Sequence, residues 1–287
     1  MELVPASFKT VLASRGFRNN SVRLYTYYAT ALLEYFSADP LRIGACDIGE
    51  WIVYAQTELK WNPRTVNVAL AAFRILFESL GMPSVMAGVR NLRFDHTEPV
   101  VLSGSEVVAL IDAATTVTLR TAIALLYGSG LRISELLALR FEDIDSGRGV
   151  LRIERTKNRH ARDAILPSLA LSLLRDIWKF RRANGAVSLA DFVFISRKGK
   201  QIQRLVIATA LLRCAEAAGV TKHVYPHLLR HSFATSLIEQ GMDIATVQRL
   251  LGHRSLSSTA HYIHLTAASR PGIKSPLDLL PPPRTTK

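Results

Sequence analysis

The stretch YPHLLRHSFATSLIEQGMDIATVQRLLGHRSLSSTAHYIH, residues 225–264, holds five of the chain's eight histidines together with Arg230 and Tyr262. Such side chains admit three readings: ligands of a zinc ion, a wet helix face, or a site that moves protons around an anion. His223, His227 and His231 stand four apart, which would line one helix face. Pro226 interrupts any helix containing His223, however, and no carboxylate or cysteine completes a ligand set, so no metal is expected. Pro226 instead suits the first turn of a new helix, on which His227 and Arg230 share a face. Asp243 can cap the next helix and Gly252 can end it, leaving His253 just beyond the helix end, where it can point into a cleft. Upstream, in LLYGSGLRISELLALR, Gly128 and Gly130 make a tight turn before a helix that opens with Arg132. Glu135 follows one turn on, placed to accept from an arginine.

Two arginines, two histidines, a lysine in a basic hairpin turn and a tyrosine suit phosphodiester chemistry. Arginine forks hold nonbridging oxygens and the extra charge of the transition state. Histidine supplies hydrogen bonds and proton traffic. A lysine can protonate a departing 5′-oxygen, and a tyrosine oxygen can be the nucleophile of a covalent intermediate. The scheme needs neither metal nor other cofactor.

Helices must position most of these groups. The first ninety residues read as four or five of them, with helical apolar spacing over 20–37 and 63–81 and Gly81 closing the latter. Asp47 is expected to N-cap the helix that follows it. Tyr25, Tyr27, Tyr28, Tyr35, Trp51 and Trp61 read as core. Arg64, Thr65 and Asn67 begin the fourth helix, where their side chains could meet a phosphate backbone. Periodicity lapses over 89–103, and Ser103 and Ser105 then offer a new helix start. The second part is mostly helical with a small sheet. Residues 149–155 and 162–167 alternate apolar and polar around TKNRHA and read as a β-hairpin, with FVFIS (192–196) as a third strand. Helices follow at 168–184, 203–218, 227–240 and 244–251, and a Pro-punctuated tail ends in a short PLDLL turn.

A net charge of +13 and a pI near 10.1 predict a polyanionic partner. The excess is lopsided: residues 1–95 carry 10 lysines and arginines against 8 acidic residues, and residues 96–287 carry 26 against 15. Cys46 and Cys214 alone imply no disulfide framework. No apolar run approaches membrane-spanning length and the first residues lack signal-peptide architecture, so a cytoplasmic setting with no membrane partner is expected.

GSGLRISEL, the lysine-bearing hairpin, HLLRHSFAT, LLGHRS and TAHYIH resemble, in order and spacing, the successive boxes of the tyrosine recombinase (phage integrase) family. His227 to Arg230 is three residues, Arg230 to His253 is 23, and His253 to Tyr262 is nine. The resemblance spans roughly residues 100–265 by motif, and residues 1–90 look like the family's helical core-binding domain. It implies a mainly α fold with a small β-sheet (α+β): a SAM-like core-binding bundle over 1–92, a linker over 93–103, a catalytic domain over 104–270 and a Pro-rich tail over 271–287.

Carried over residue by residue, the resemblance implies that Tyr262 attacks a scissile phosphate and leaves a 3′-phosphotyrosyl link. Arg132, Arg230, His227 and His253 would cradle that phosphate, and Lys157 would be the general acid. Glu135 would orient an arginine and His231 would brace the site. The hairpin turn is longer than the family's compact turn, which sets Arg155 and Arg159 beside Lys157 as DNA-binding candidates. Lysine is the better acid because an arginine effectively cannot release its proton. The implied partner is double-stranded DNA, bound as a dimer per site and a homo-tetramer on paired sites, with monomers in free solution and association with the nucleoid. The C-terminal stretch is similar to that of short recombinases carried beside rolling-circle insertion elements. Two rivals share the constellation: a type IB topoisomerase-like relaxing enzyme and a catalytically silent DNA-binding regulator. The helical first ninety residues favour a recombinase over the first, and the full set of six residues argues against the second.

Overall fold

Val66, Ala69, Leu70, Phe73, Leu76 and Phe77 recur at helical spacing and are fully buried, and they build the central helix of the first of two units, residues 1–97. A computed structural model describes residues 4–37, 39–94, 100–153, 161–185, 187–196, 198–252 and 276–279. Four α-helices are described in this unit: α1 (Ala6–Ser14), α2 (Asn19–Phe36), α3 (Ala45–Thr57) and α4 (Pro63–Ser79). Phe8 and Leu12 of α1, Leu32 and Leu33 of α2, and Ile48 and Trp51 of α3 close on α4. Trp51 meets Phe73 edge-on at 4.7 Å and Trp61 at 5.7 Å.

Two local expectations are corrected here. Asp47 does not N-cap α3. The helix begins at Ala45, and the Asp47 carboxylate reaches back from the first turn to accept the Gly44 N–H at 2.7 Å. Tyr27 is not core but 58 % exposed, because the helical period that turns its neighbour Tyr28 inward swings Tyr27 to the outside.

The second unit, residues 98–287, is organised around α6 (Val117–Gly128), which is buried from Leu119 almost without interruption to Gly128 and is mainly apolar over that stretch. Around it lie α5 (Gly104–Ala113), α7 (Ile133–Ala138), α8 (Ser168–Ala183), α9 (Arg204–Ala217), α10 (Pro226–Glu239) and α11 (Ile244–Leu251). A capping box starts α5: Ser103 Oγ accepts the Glu106 N–H at 3.2 Å and Glu106 accepts the Ser103 N–H at 2.7 Å.

The sheet has strand order β1 (Ile144–Asp145), β2 (Val150–Ile153), β3 (Arg162–Ile165), all antiparallel, with Leu151 opposite Ala164 and Ile153 opposite Arg162. The hairpin is thus where the alternation places it, but the third strand is β1 and not FVFIS. Phe192 and Ile195 make only isolated bridges, to Arg140 and Gln201. Val193 and Phe194 are apolar because they are buried against the core, not because they extend the ladder. A 3-10 turn, Pro276–Leu279, supplies Asp278, which accepts from the N–H and hydroxyl of Ser168 at 3.0 and 2.6 Å and so caps the start of α8. Among the described residues no helix is long and apolar enough to cross a membrane.

Candidate active site

The site begins where α6 must stop. Gly130 has φ +59°, and a Cβ there would fall 2.4 and 2.6 Å from ring atoms of Phe233 on α10. Only glycine lets the chain reverse this close to α10. The reversal buries Leu131 and delivers Arg132 as the N-cap residue of α7. Glu135, one turn on, accepts the Arg132 N–H and the Arg132 guanidinium, each at 2.8 Å. One carboxylate therefore caps the helix and fixes the direction of the arginine.

Three guanidiniums converge on that carboxylate. Arg162, the first residue of β3, donates to Glu135 Oε2 at 2.8 Å, and Arg230 lies 3.8 Å from the same oxygen. Arg230 also donates to the carbonyl of Gly130 and, at 2.6 Å, to that of Leu251, while Arg132 donates to the carbonyl of Gly252 at 3.0 Å. The last two carbonyls belong to the end of α11, whose Gly252 turns left-handed at φ +62°. Carbonyls at a helix C-terminus carry partial negative charge and suit guanidinium groups. Arg230 is only 2 % exposed and Glu135 6 %. Burying three cations against one anion is costly unless a further anion completes the set.

Burial pushes the Glu135 carboxyl up, but the charge of Arg162, the Arg132 N–H and the Arg132 guanidinium outweigh it and hold the pKa below the ordinary value. Glu135 is thus an anion that orients cations and not an acid. The pKa of His227 is also lowered, but here that disfavours the charged form: partial loss of hydration, then the positive fields of Arg230, Arg132 and Arg204, favour the neutral ring. Its ring lies 4.3 Å from that of His231, centroid to centroid and tilted by 71°.

The structure brings together Arg132, Glu135 and Arg230, and sets His227 in their field with His231 beside it. Lys157, Arg155, Arg159, His253 and Tyr262 lie outside the described residues. The described chain reaches Ile153 and resumes before Arg162 on either side of the first three, and it reaches Gly252 just before His253. In the first unit Arg64 is exposed and lies over the Phe94 ring at 5.1 Å. Thr65 packs into the α4 cap, its N–H and hydroxyl donating to Asn62 at 2.8 and 3.1 Å. Asn67 clamps Leu92, donating to its carbonyl at 3.0 Å and accepting its N–H at 2.7 Å, so its amide serves the fold.

Sequence reasoning passed over Arg162 and Arg204. For Arg162 a signal was present: it shares strand parity with the buried Ala164, so the alternation that reveals the strand also turns this arginine inward. Arg204, exposed at the start of α9, carries no such mark.

The model of the phage integrase family matches residues 100–269. A Sinorhizobium fredii protein bearing the name integrase/recombinase y4qK is 34% identical over 95% of this chain and 87% of its own length. The tyrosine recombinase XerA of Pyrococcus furiosus is 31% identical over 91% of this chain and 88% of its own. Among solved structures, the Tn1549 transposon integrase in complex with transposon right end DNA aligns with a TM-score of 0.72 at 18% identity, over 94% of this chain and 96% of that one. A lambda integrase dimer bound to a core site aligns with a TM-score of 0.68 at 22% identity, over 93% and 97%. At such identities the two structures speak for the fold.

Proposed function

The chain belongs to the phage integrase family, and from that premise we propose how its residues cleave and rejoin DNA. It is a tyrosine-type site-specific DNA recombinase, as its relatives' names and similarity support, and the relaxing-enzyme and silent-binder alternatives are not favoured. The observation that carries the residue-level reading is the excess of guanidinium over carboxylate around Glu135, fastened between α7, β3, α10 and the end of α11. Such a cradle fits a phosphate whose negative charge grows during an in-line displacement.

In this reading Arg132 and Arg230 hold the nonbridging oxygens of the scissile phosphate, and His253 adds a hydrogen bond. The Tyr262 oxygen attacks phosphorus and gives up its proton, which the neutral ring of His227 can accept. The bond from phosphorus to the 5′-oxygen breaks, and Lys157 delivers a proton to that oxygen. A 3′-phosphotyrosyl link and a free 5′-hydroxyl result. The 5′-hydroxyl of a partner strand then attacks the link and releases the tyrosine, so one ester replaces another without external energy. Glu135 keeps Arg132 in place, and His231 supports His227.

Each chain offers one such tyrosine, while exchange between two duplexes breaks four strands. A dimer on each site and a homo-tetramer on paired sites follows, assembled from monomers that meet on the DNA. Arg64, and Arg155 and Arg159 between β2 and β3 in the sequence, are proposed as phosphate contacts. The place of action is the nucleoid of the cytoplasm, where the substrate is.

Covalent trapping on nicked duplexes in EDTA tests the reading. Protein and DNA should stay linked through denaturing electrophoresis, and Tyr262→Phe should bind DNA normally yet form no link. A link that persists in Tyr262→Phe would show that another residue is the nucleophile.

A further inference from the structure

Arg162 stands outside the six residues that the motifs nominate for chemistry, yet it touches three walls of the site. From β3 it donates to Glu135 on α7. Its aliphatic stem packs on the turn after α11, where a Cβ added to Gly252 would lie 2.8 Å from Arg162 Cδ and 2.9 Å from Nε. Its backbone pairs with Ile153 at the end of the described β2–β3 ladder. We infer that Arg162 is a positioning residue for strand cleavage: through Glu135 it fixes Arg132 against the scissile phosphate, and the same bond ties strand β3 to helix α7. This rests on the reading of Arg132 and Arg230 as the phosphate cradle.

The geometry explains why a second donor matters. Arg132 alone would hold the carboxylate from α7 only, with no donor tying Oε2 to β3. Glu135 gives Oε1 to the Arg132 guanidinium and Oε2 to both the Arg132 N–H and Arg162, which locks its plane. Arg230 waits 3.8 Å from Oε2. Without Arg162 nothing on β3 opposes the pull of Arg230 on Oε2, and a shift toward it slackens Arg132 and neutralises the second phosphate-holding cation at once. Displacements of that size, about 1 Å, can cost on the order of 100-fold in rate. An arginine this buried is also expensive to keep unless its charge is used.

The test uses the full chain and nicked duplexes carrying the sequence that the protein itself selects from randomised DNA. Single-turnover cleavage is measured for Arg162→Met, Arg162→Lys and Arg132→Ala, with the scissile position either a phosphodiester or a neutral methylphosphonate. The neutral linkage lacks the charge that a guanidinium must meet, so it relieves a misplaced Arg132 but not a general loss of folding. Arg162→Met keeps the packing stem. It should bind DNA within about two-fold of wild type, cleave the diester at least about ten-fold more slowly, and recover most of that loss on the methylphosphonate, as Arg132→Ala does. Arg162→Lys, which keeps the charge and loses the fork, should fall between, and it carries the test alone if Arg162→Met does not fold. Wild-type cleavage by the Arg162 variants overturns the inference, as does equal slowness on both linkages while Arg132→Ala is relieved. If Arg132→Ala itself cleaves normally, the cradle reading fails, and this inference with it.

Discussion

Glu135 Oε1 accepts from Arg132 while Glu135 Oε2 accepts from Arg162, each at 2.8 Å, so one buried carboxylate joins helix α7 to strand β3. The structure invests in this anion twice, in fold and in site.

Its removal should be felt in stability before it is felt in chemistry. Glu135→Gln leaves buried guanidiniums without their counter-charge and should cost about 3–5 kcal/mol in denaturant unfolding. The folded pKa of Glu135 is depressed, so its contribution is present above the unfolded carboxylate value and disappears as pH falls through the lower folded value. The stability of the wild type should fall across that acid window, and the slope should be shallower in Glu135→Gln. Equal slopes would place the ionised carboxylate outside the stabilising set.

Gly130→Ala should be among the more damaging single-methyl changes. The added carbon meets the Phe233 ring at 2.4 Å at a backbone φ of +59°, which L side chains resist. Overpacking of about 1–3 kcal/mol adds to the backbone penalty. Because one clash causes much of this, Gly130→Ala and Phe233→Leu together should destabilise less than the sum of the two. Strict additivity in thermal or denaturant unfolding would mean that the turn relaxes away from α10.

Much of this arrangement was legible in the sequence, for local reasons. Gly130, Arg132 and Glu135 declare themselves by glycine before a helix start and by a carboxylate one turn on. His227 and Arg230 do so by sharing a helix face behind Pro226. What escaped depends on register and on neighbours. FVFIS is an apolar run that buries without pairing, and its composition does not tell the two apart. Asp47 occupies a first-turn position from which a carboxylate still reaches the cap N–H, so residue type alone mislocated the helix start. Arg162 in a chain with 36 lysines and arginines looks like one more surface cation until its strand parity is set beside Ala164.

The lowered pKa of His227 gives a second pH window. Between the folded value and the unfolded value near 6.5, the unfolded chain binds more protons, so stability rises with pH there. His227→Gln should flatten that rise. The same variant should cleave more slowly at neutral pH, by about 100-fold or more if the ring takes the tyrosine proton. The wild-type cleavage rate should drop as pH falls below the folded value, and the variant should lack that limb. A limb that survives in His227→Gln belongs to another group.

The last prediction separates Lys157 from its arginine neighbours Arg155 and Arg159, which the sequence sets between β2 and β3. A general acid is needed because a 5′-alkoxide leaves poorly; a 5′-thiolate leaves without help. Replacing the bridging 5′-oxygen by sulfur should therefore restore cleavage to Lys157→Ala while barely changing the wild type. Arg155→Ala and Arg159→Ala should instead weaken binding, each reducing the slope of log affinity against log salt by about one, with no special response to sulfur. The physical basis is that a guanidinium holds its proton at every pH the enzyme meets, whereas an ammonium near a phosphate can release one. If sulfur rescues Arg159→Ala and leaves Lys157→Ala inactive, the proton comes by way of Arg159, and the lysine serves only as a phosphate contact.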